Sequence, residues 1–397
     1  WEVSLVEGPR GSHAGGQAPR VQGLWSNALE GLDAIGLLRS ICPRREGGRQ
    51  GMYMQEAGYR SVQGHWLAEP RTPLSQGTAP ALLFVSEEDL LNGLRQHLQS
   101  VAELMPGESC VCVDAMEGRV HLDDGSSLRA DVIVAADGID SAVRRSLHPE
   151  VHPSLRGYTV FRGIAGQQLS PKSYQTWGPG MRFASVPLED SQSWFATFAY
   201  HQGQPHPLIR DLQGPEDALT RLRAAFDGWH DPIRETLLQT DHADLLWEEA
   251  RELISPNVLS HGRVAFIGDA AHAIDPILAQ GAGVAIEDAL RLASQLDFVE
   301  NPQSEAMVHH AVQQAEAAAT TRIRTLRTMS NVSQFLGHLG PELLAGLRNS
   351  VLGAVPAGLK GPCFDGMIRA SLSTDSPLLA ALGCGGAYEV PQNLRPP

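Results

Sequence analysis

Apolar positions recur with a period of two in some stretches of the chain and near 3.6 in others, an alternation that predicts an α/β protein. Trp1 to Glu7 (WEVSLVE) reads as a short strand ending in an acid, and residues 8 to 20 as an aperiodic loop of Gly, Pro, Ser and Arg. Ser26 to Ser40 spaces Leu29, Leu32, Ile35, Leu37 and Leu38 as a helix does. Ser86 followed by Asp89 resembles a capping box opening a helix through Leu90, Leu91, Leu94, Leu98 and Val101. Ser109 to Ala115 and Arg119 to Leu122 predict a hairpin, closed by Asp123-Asp124-Gly125 before a buried strand at Ala130 to Ala136. The middle, 156 to 250, offers strands at Thr159 to Ala165, Met181 to Val186 and Ser193 to Tyr200, then helices from Glu216. From Arg263 a strand, a loop and a helix return, followed by a long helical region to about residue 353.

With 397 residues, 42% of them apolar and 19% charged, the chain has material for two cores and too little charge for disorder. Its 31 Lys and Arg against 45 Asp and Glu give a net charge of −14, which disfavours nucleic acid and anionic lipid as partners. No apolar run approaches the roughly 18 residues of a membrane span. The five cysteines form no CxxC pair, so neither a disulfide framework nor a zinc site is expected, and a reducing compartment fits. Cytoplasmic placement follows, with an organelle open because Trp1 stands where a start and its targeting signals are expected upstream.

Two segments carry chemistry. In Arg263 to Leu290 (RVAFIGDAAHAIDPILAQGAGVAIEDAL) a strand delivers Gly268 and Asp269 at its C-terminal end, where open α/β sheets bind ligands. The carboxylate can accept a hydrogen bond from a sugar or polyol hydroxyl, and Gly281-Ala282-Gly283 opens a helix whose free N–H groups favour negative charge. In Val132 to Leu147, Asp137 and Gly138 form the turn after a strand, with Ser141 and Arg144 one turn apart on the next helix.

These residues resemble the fingerprints of the class A FAD-dependent monooxygenases, the flavoprotein aromatic hydroxylases. The first segment is similar to GDAAHxxxPxxGQGxxxAxEDA and the second to DGxxSxxR. WEVSLVE resembles the second strand of a dinucleotide-binding unit with Glu7 on the adenosine ribose, and Trp25 to Leu37 resembles the family helix WPNALxxLxxLGL. The resemblance implies a three-layer Rossmann-like FAD-binding domain over 1–62, 82–153 and 255–330. It also implies an inserted mixed-sheet substrate domain over 63–81 and 154–254, and a helical C-terminal region over 331–397. Glu7, Asp137, Gly138, Arg144, Gly268, Asp269, Pro276, Gly281, Ala282 and Gly283 would hold FAD. NADPH or NADH would reduce the flavin, O2 would add at its C4a carbon, and one oxygen atom would pass to a small aromatic or polyene substrate.

Four departures bear on this. A family member carries roughly 30 further residues with a GxGxxG turn ahead of the Glu7 strand, and none of the 397 residues supplies that motif. Glu87 stands at a position of a flavin-contacting Arg, Ala279 replaces a glycine, and Pro19-Arg20-Val21 replaces a small turn. The alternatives are therefore a remnant that retains no FAD and an isoprenoid-type flavin reductase. Arg182 is the candidate for a catalytic side chain facing substrate, although a surface strand Arg is commoner. His272 is expected to serve structure, Cys110 and Cys112 to be packed thiols, and Arg322, Arg324 and Arg327 to form a solvated face. No metal ligand set is expected.

Overall fold

The computed structural model describes residues 1–8, 20–41, 52–53, 57–68, 82–188, 190–254 and 259–355. The expected loop at 8–20, three of the five cysteines and the last 40 residues lie almost wholly outside that set. The architecture is mixed α/β, with a large mixed sheet and helices at the C-terminal end.

The nucleotide half is built around two parallel strand pairs. Ser4–Glu7 runs beside Glu103–Pro106, and Ile133–Ala135 beside Val264–Phe266. The two pairs are separate sheets, and Leu5 and Val134, one from each, remain 37% and 43% exposed. Parallel strands are ordinarily covered on both faces, so this exposure is unusual. The hairpin forms as read, Cys110–Asp114 against Arg119–Leu122, and Asp123-Asp124-Gly125 turns the chain into a third strand, Ser127–Arg129. Val21–Trp25 and Met52–Tyr53 flank Leu82–Ser86 in a further antiparallel sheet. The helix Glu87–Leu98 starts where the capping box places it, because Ser86 Oγ accepts the Asp89 amide at 3.0 Å and three acids occupy its positive end. The expected helix from Ser26 is divided, Ser26–Ala34 and Leu38–Ile41, at Gly36 with φ 74°.

The half expected to bind substrate is a seven-stranded sheet in the order Leu246–Glu252, Ser154–Ala165, Gln192–Ala199, Met181–Pro187, Ser173–Trp177, Ala57–Ser61, Trp66–Ala68. Ala57–Ser61 pairs parallel with Ser173–Trp177, so this sheet takes in a strand that the boundary expected at 62 assigns to the other half. Side chains alternate across it. Phe161, Phe183, Trp194 and Phe198 pack against the helices Pro215–Ala225 and Ile233–Leu238, each contributing about 2–3 kcal/mol by burial. Tyr158, Arg182 and Thr197 point the other way, toward the nucleotide half and the C-terminal helices Glu305–Gly337 and Glu342–Ala354.

Candidate active site

Two turns meet at the C-terminal ends of the central strand pair. In the first, Gly138 adopts φ 80° with open space where a Cβ would be. Asp137 Oδ2 accepts the Ala142 and Val143 amides at 2.7 and 3.2 Å and so caps the helix Ala142–Leu147. Ser141 is the N-cap of that helix rather than a member of its face, its Oγ accepting the Arg144 amide at 2.9 Å. Arg144 has no exposed surface; its guanidinium donates to Ala270 O at 2.8 Å and to Ile139 O. It ties the two turns to each other from beneath.

In the second turn Gly268 takes φ 57° and its amide donates to Asp288 Oδ2 at 3.0 Å. The Asp269 side chain opens to solvent, yet protein crowds it on several sides. That desolvation raises its pKa above the ordinary 3.8, with His272 opposing the shift and Glu248 adding to it. Glu248 lies on the seven-stranded sheet, paired with Arg162, so the two halves of the molecule face each other across Asp269.

The helix Gly281–Leu296 begins beside that carboxylate: a Cβ on Gly281 would meet nothing nearer than Asp269 Oδ1 at 3.9 Å. No side chain caps this end. The turn before it is Asp275, Pro276–Leu278, then Ala279 in the left-handed region at φ 51°, where a glycine costs nothing and an alanine about 1 kcal/mol. Below the helix runs a buried ionic chain. Glu287 meets Arg291 at 2.7 Å, Arg322 at 3.3 Å and Asn27 at 2.6 Å, while Asp288 meets Arg291 at 3.1 Å and His272 at 2.7 Å.

Several expectations change on this geometry. Arg182 is 1% exposed, donates to Ser333 O at 2.8 Å and stacks near Trp177, because the C-terminal helix covers its strand. It is a buried residue held by the C-terminal helix, not a surface Arg. Burial lowers its pKa to about 10. Arg322 and Arg327 turn inward, the latter onto Leu253 O, and Arg324 alone of the three is exposed. His272 is a structural partner of Asp288, as read. Glu7 is forked by Arg95 through both carboxylate oxygens, and Glu87 sits 3.9 Å from Arg20 and accepts from Gln22 at 3.2 Å. Burial pushes the Cys110 thiol up to about 11, the behaviour of a packed thiol. Among the described residues no cluster of three or more His, Cys, Asp or Glu could hold a metal, and no helix is long and apolar enough to cross a membrane.

A family model described as "FAD binding domain" matches residues 12–325. The chain belongs to the class A FAD-dependent monooxygenase family. Its matches include aurachin C monooxygenase/isomerase of Stigmatella aurantiaca, 36% identical over 45% of this chain and 46% of the relative. Zeaxanthin epoxidase of Nicotiana plumbaginifolia is 29% identical over 59% of this chain and 36% of the relative. The matched region thus spans about half or less of these relatives. Klebsiella pneumoniae HpxO, solved with FAD and uric acid, shares the fold at a TM-score of 0.74 and 20% identity, over 92% of this chain and 90% of that one.

FAD is the cofactor of this family, and its ring and ribityl arm suit the residues present. Gly138 and Gly281 leave open space, Asp269 offers an acceptor beside it, and the amides that open the helix are uncapped. At the adenosine end Glu7 is present but already engaged by Arg95. The partnerships of Asp275, Tyr158, Arg156 and Asn27 escaped the sequence reading, although Asn27 stands in the stretch that resembles WPNALxxLxxLGL. The Asp-Pro pair at 275–276 is a turn signal that marks Asp275; the other three lie far away in sequence and carry none.

Proposed function

We propose that this class A family member uses FAD, NADPH or NADH and O2 to hydroxylate or epoxidise a small aromatic or polyene compound. The observation that carries the reading is the exposed Asp269 carboxylate lying beside the uncapped helix end at Gly281. Two curated relatives are named for a substituted benzoate and for zeaxanthin, and this supports the substrate class.

Bound FAD would supply two-electron exchange with the nicotinamide and activation of O2. Asp269 would accept hydrogen bonds from ribityl hydroxyls. The Gly281, Ala282 and Gly283 amides would stabilise negative charge on the ring, in a site where low dielectric makes such donors count. Gly138 would let the cofactor approach the backbone, whereas a Cβ on Gly268 would meet Ala285 at 3.0 Å, so that glycine admits the helix instead of the cofactor. Asp137 would fix the Gly138 turn, and Pro276 would pack at the ring edge. Glu7 would bond the ribose once Arg95 yields one oxygen. Arg144 acts through the turns it ties, as a positioning residue. The substrate sheet would close the site against water, which protects reactive oxygen chemistry.

A second reading, a family member that retains no flavin, draws on Glu7 and Glu87 both being engaged by cations of the chain itself. The deciding experiment incubates the full chain with FAD, removes the excess and records the absorption spectrum. NADPH oxidation is then followed with and without phenols and 4-hydroxyquinoline, with isotope-labelled O2 traced into product. Retained flavin and labelled product support the oxygenase; a colourless chain with no oxidation leaves the second reading standing.

A further inference from the structure

The turn that leads into the Gly281 helix is suspended from one buried carboxylate. Asp275 has no exposed surface. Its Oδ1 accepts the Tyr158 hydroxyl and the Ile277 amide, the latter at 2.9 Å, and its Oδ2 accepts Arg156 Nε at 2.7 Å. Tyr158 and Arg156 flank Gly157, φ 75°, where the strand Ser154–Ala165 shifts register, and both reach Asp275 from the seven-stranded sheet. The guanidinium of Arg156 reaches further, to Glu252 on the adjacent strand at 2.7 Å, to Asn331 at 2.6 Å and to Gln334 of the C-terminal helix. Gln334 Nε2 donates back to Arg156 O. Sheet, helix and turn therefore meet at a single ion pair.

The stretch between Asp275 and the helix makes few bonds within itself, Ile277 N to Asp275 Oδ1 and Ala279 N to Pro276 O at 3.0 Å. From outside it, Trp25 Nε1 donates to Leu278 O at 3.2 Å, Asn27 Nδ2 donates to Gln280 Oε1 at 3.3 Å, and Leu278 packs beside Ile274 and Val284. Ala279 adds left-handed strain. A fully desolvated carboxylate must keep its donors, so the turn follows wherever Tyr158 and Arg156 stand. The sheet face of Tyr158 also carries Val160 and Arg162, two and four residues beyond it, and Arg162 pairs with Glu248 opposite Asp269. Tyr158 and Val160 are buried, so a molecule would reach the strand that holds Asp275 at Arg162, the partly exposed member of that face.

We infer that Tyr158 and Arg156 are positioning residues through which the substrate sheet sets the 276–280 turn and the helix mouth behind it. A ligand on the sheet and a ring beside Asp269 thereby sense one another. This rests on the flavin reading above for the ring, and on the hydrogen bonds alone for the turn.

The test uses the full chain as wild type, Tyr158→Phe, Arg156→Lys and Phe161→Leu, the last from the opposite face of the same strand. Hydrogen exchange is measured over residues 275–283 without FAD, and FAD affinity and the bound absorption band by titration. Tyr158→Phe is expected to speed exchange in the turn about ten-fold, weaken FAD binding about ten-fold and displace the flavin band, with Arg156→Lys acting in the same direction. Phe161→Leu lowers the melting temperature without these changes. Turn exchange equal in Tyr158→Phe and Phe161→Leu overturns the inference. A wild-type chain that takes up no FAD overturns the flavin reading instead, and is told apart because the exchange difference persists.

Discussion

His272 Nε2 lies 2.7 Å from Asp288 Oδ2, the same oxygen that accepts the Gly268 amide at 3.0 Å. One buried carboxylate therefore sets the backbone turn that carries Asp269 and anchors the short helix that follows. Through Arg291 it is continuous with Glu287, Arg322 and Asn27, so the floor of the site is a chain of paired charges.

Asp288→Ala leaves His272 and the Gly268 amide without their Asp288 partner in a desolvated place and Arg291 with Glu287 alone. A loss of about 3 kcal/mol is expected in urea denaturation, with weakened FAD uptake. A loss under about 1 kcal/mol would reduce the network to the value of a surface pair.

Gly337→Ala puts a Cβ 2.1 Å from the Arg182 guanidinium, which is held by Ser333 O and cannot retreat. Destabilisation of about 1–3 kcal/mol is expected. The double variant with Arg182→Ala removes the clash, so the two changes should be non-additive by thermal melting. Additive losses would place the clash elsewhere.

Ala279→Gly relieves the left-handed strain at the turn while adding freedom to the unfolded chain. The balance is a gain of about 0.5–1 kcal/mol. A drop in melting temperature would show that the contacts of the alanine methyl contribute more than the strain costs.

Burial and the nearby Glu287 push the Glu30 carboxyl up from 4.5 to about 7. Its folded value lies above its unfolded one, so the folded state holds an extra proton between them. Stability should rise as pH falls from about 7 toward 4.5, and Glu30→Gln should flatten that rise and be the more stable at pH 8. A profile that is identical in the variant would assign the dependence to another group.

Much of this molecule is written in short stretches of chain. Gly268, Asp269, Gly281 and the Asp137-Gly138 turn are local features: strand, turn and helix start follow from spacing, and the glycines from φ values other residues avoid. Ser86 fixed its helix end in the same way. The family, the strand-rich middle and the long C-terminal helices were legible for that reason.

Other roles were set by contacts between distant segments, which no local pattern records. Arg182 reads as an open strand residue until a helix 150 positions later lies across it, and Arg322 reads as solvated until Glu287 is brought to it. Asp275 becomes the suspension point of the turn because residues 117 and 119 positions earlier reach it across a sheet. Burial decides whether a charge is a surface ornament or a fixed element, and burial is a property of the packed chain, not of its spelling.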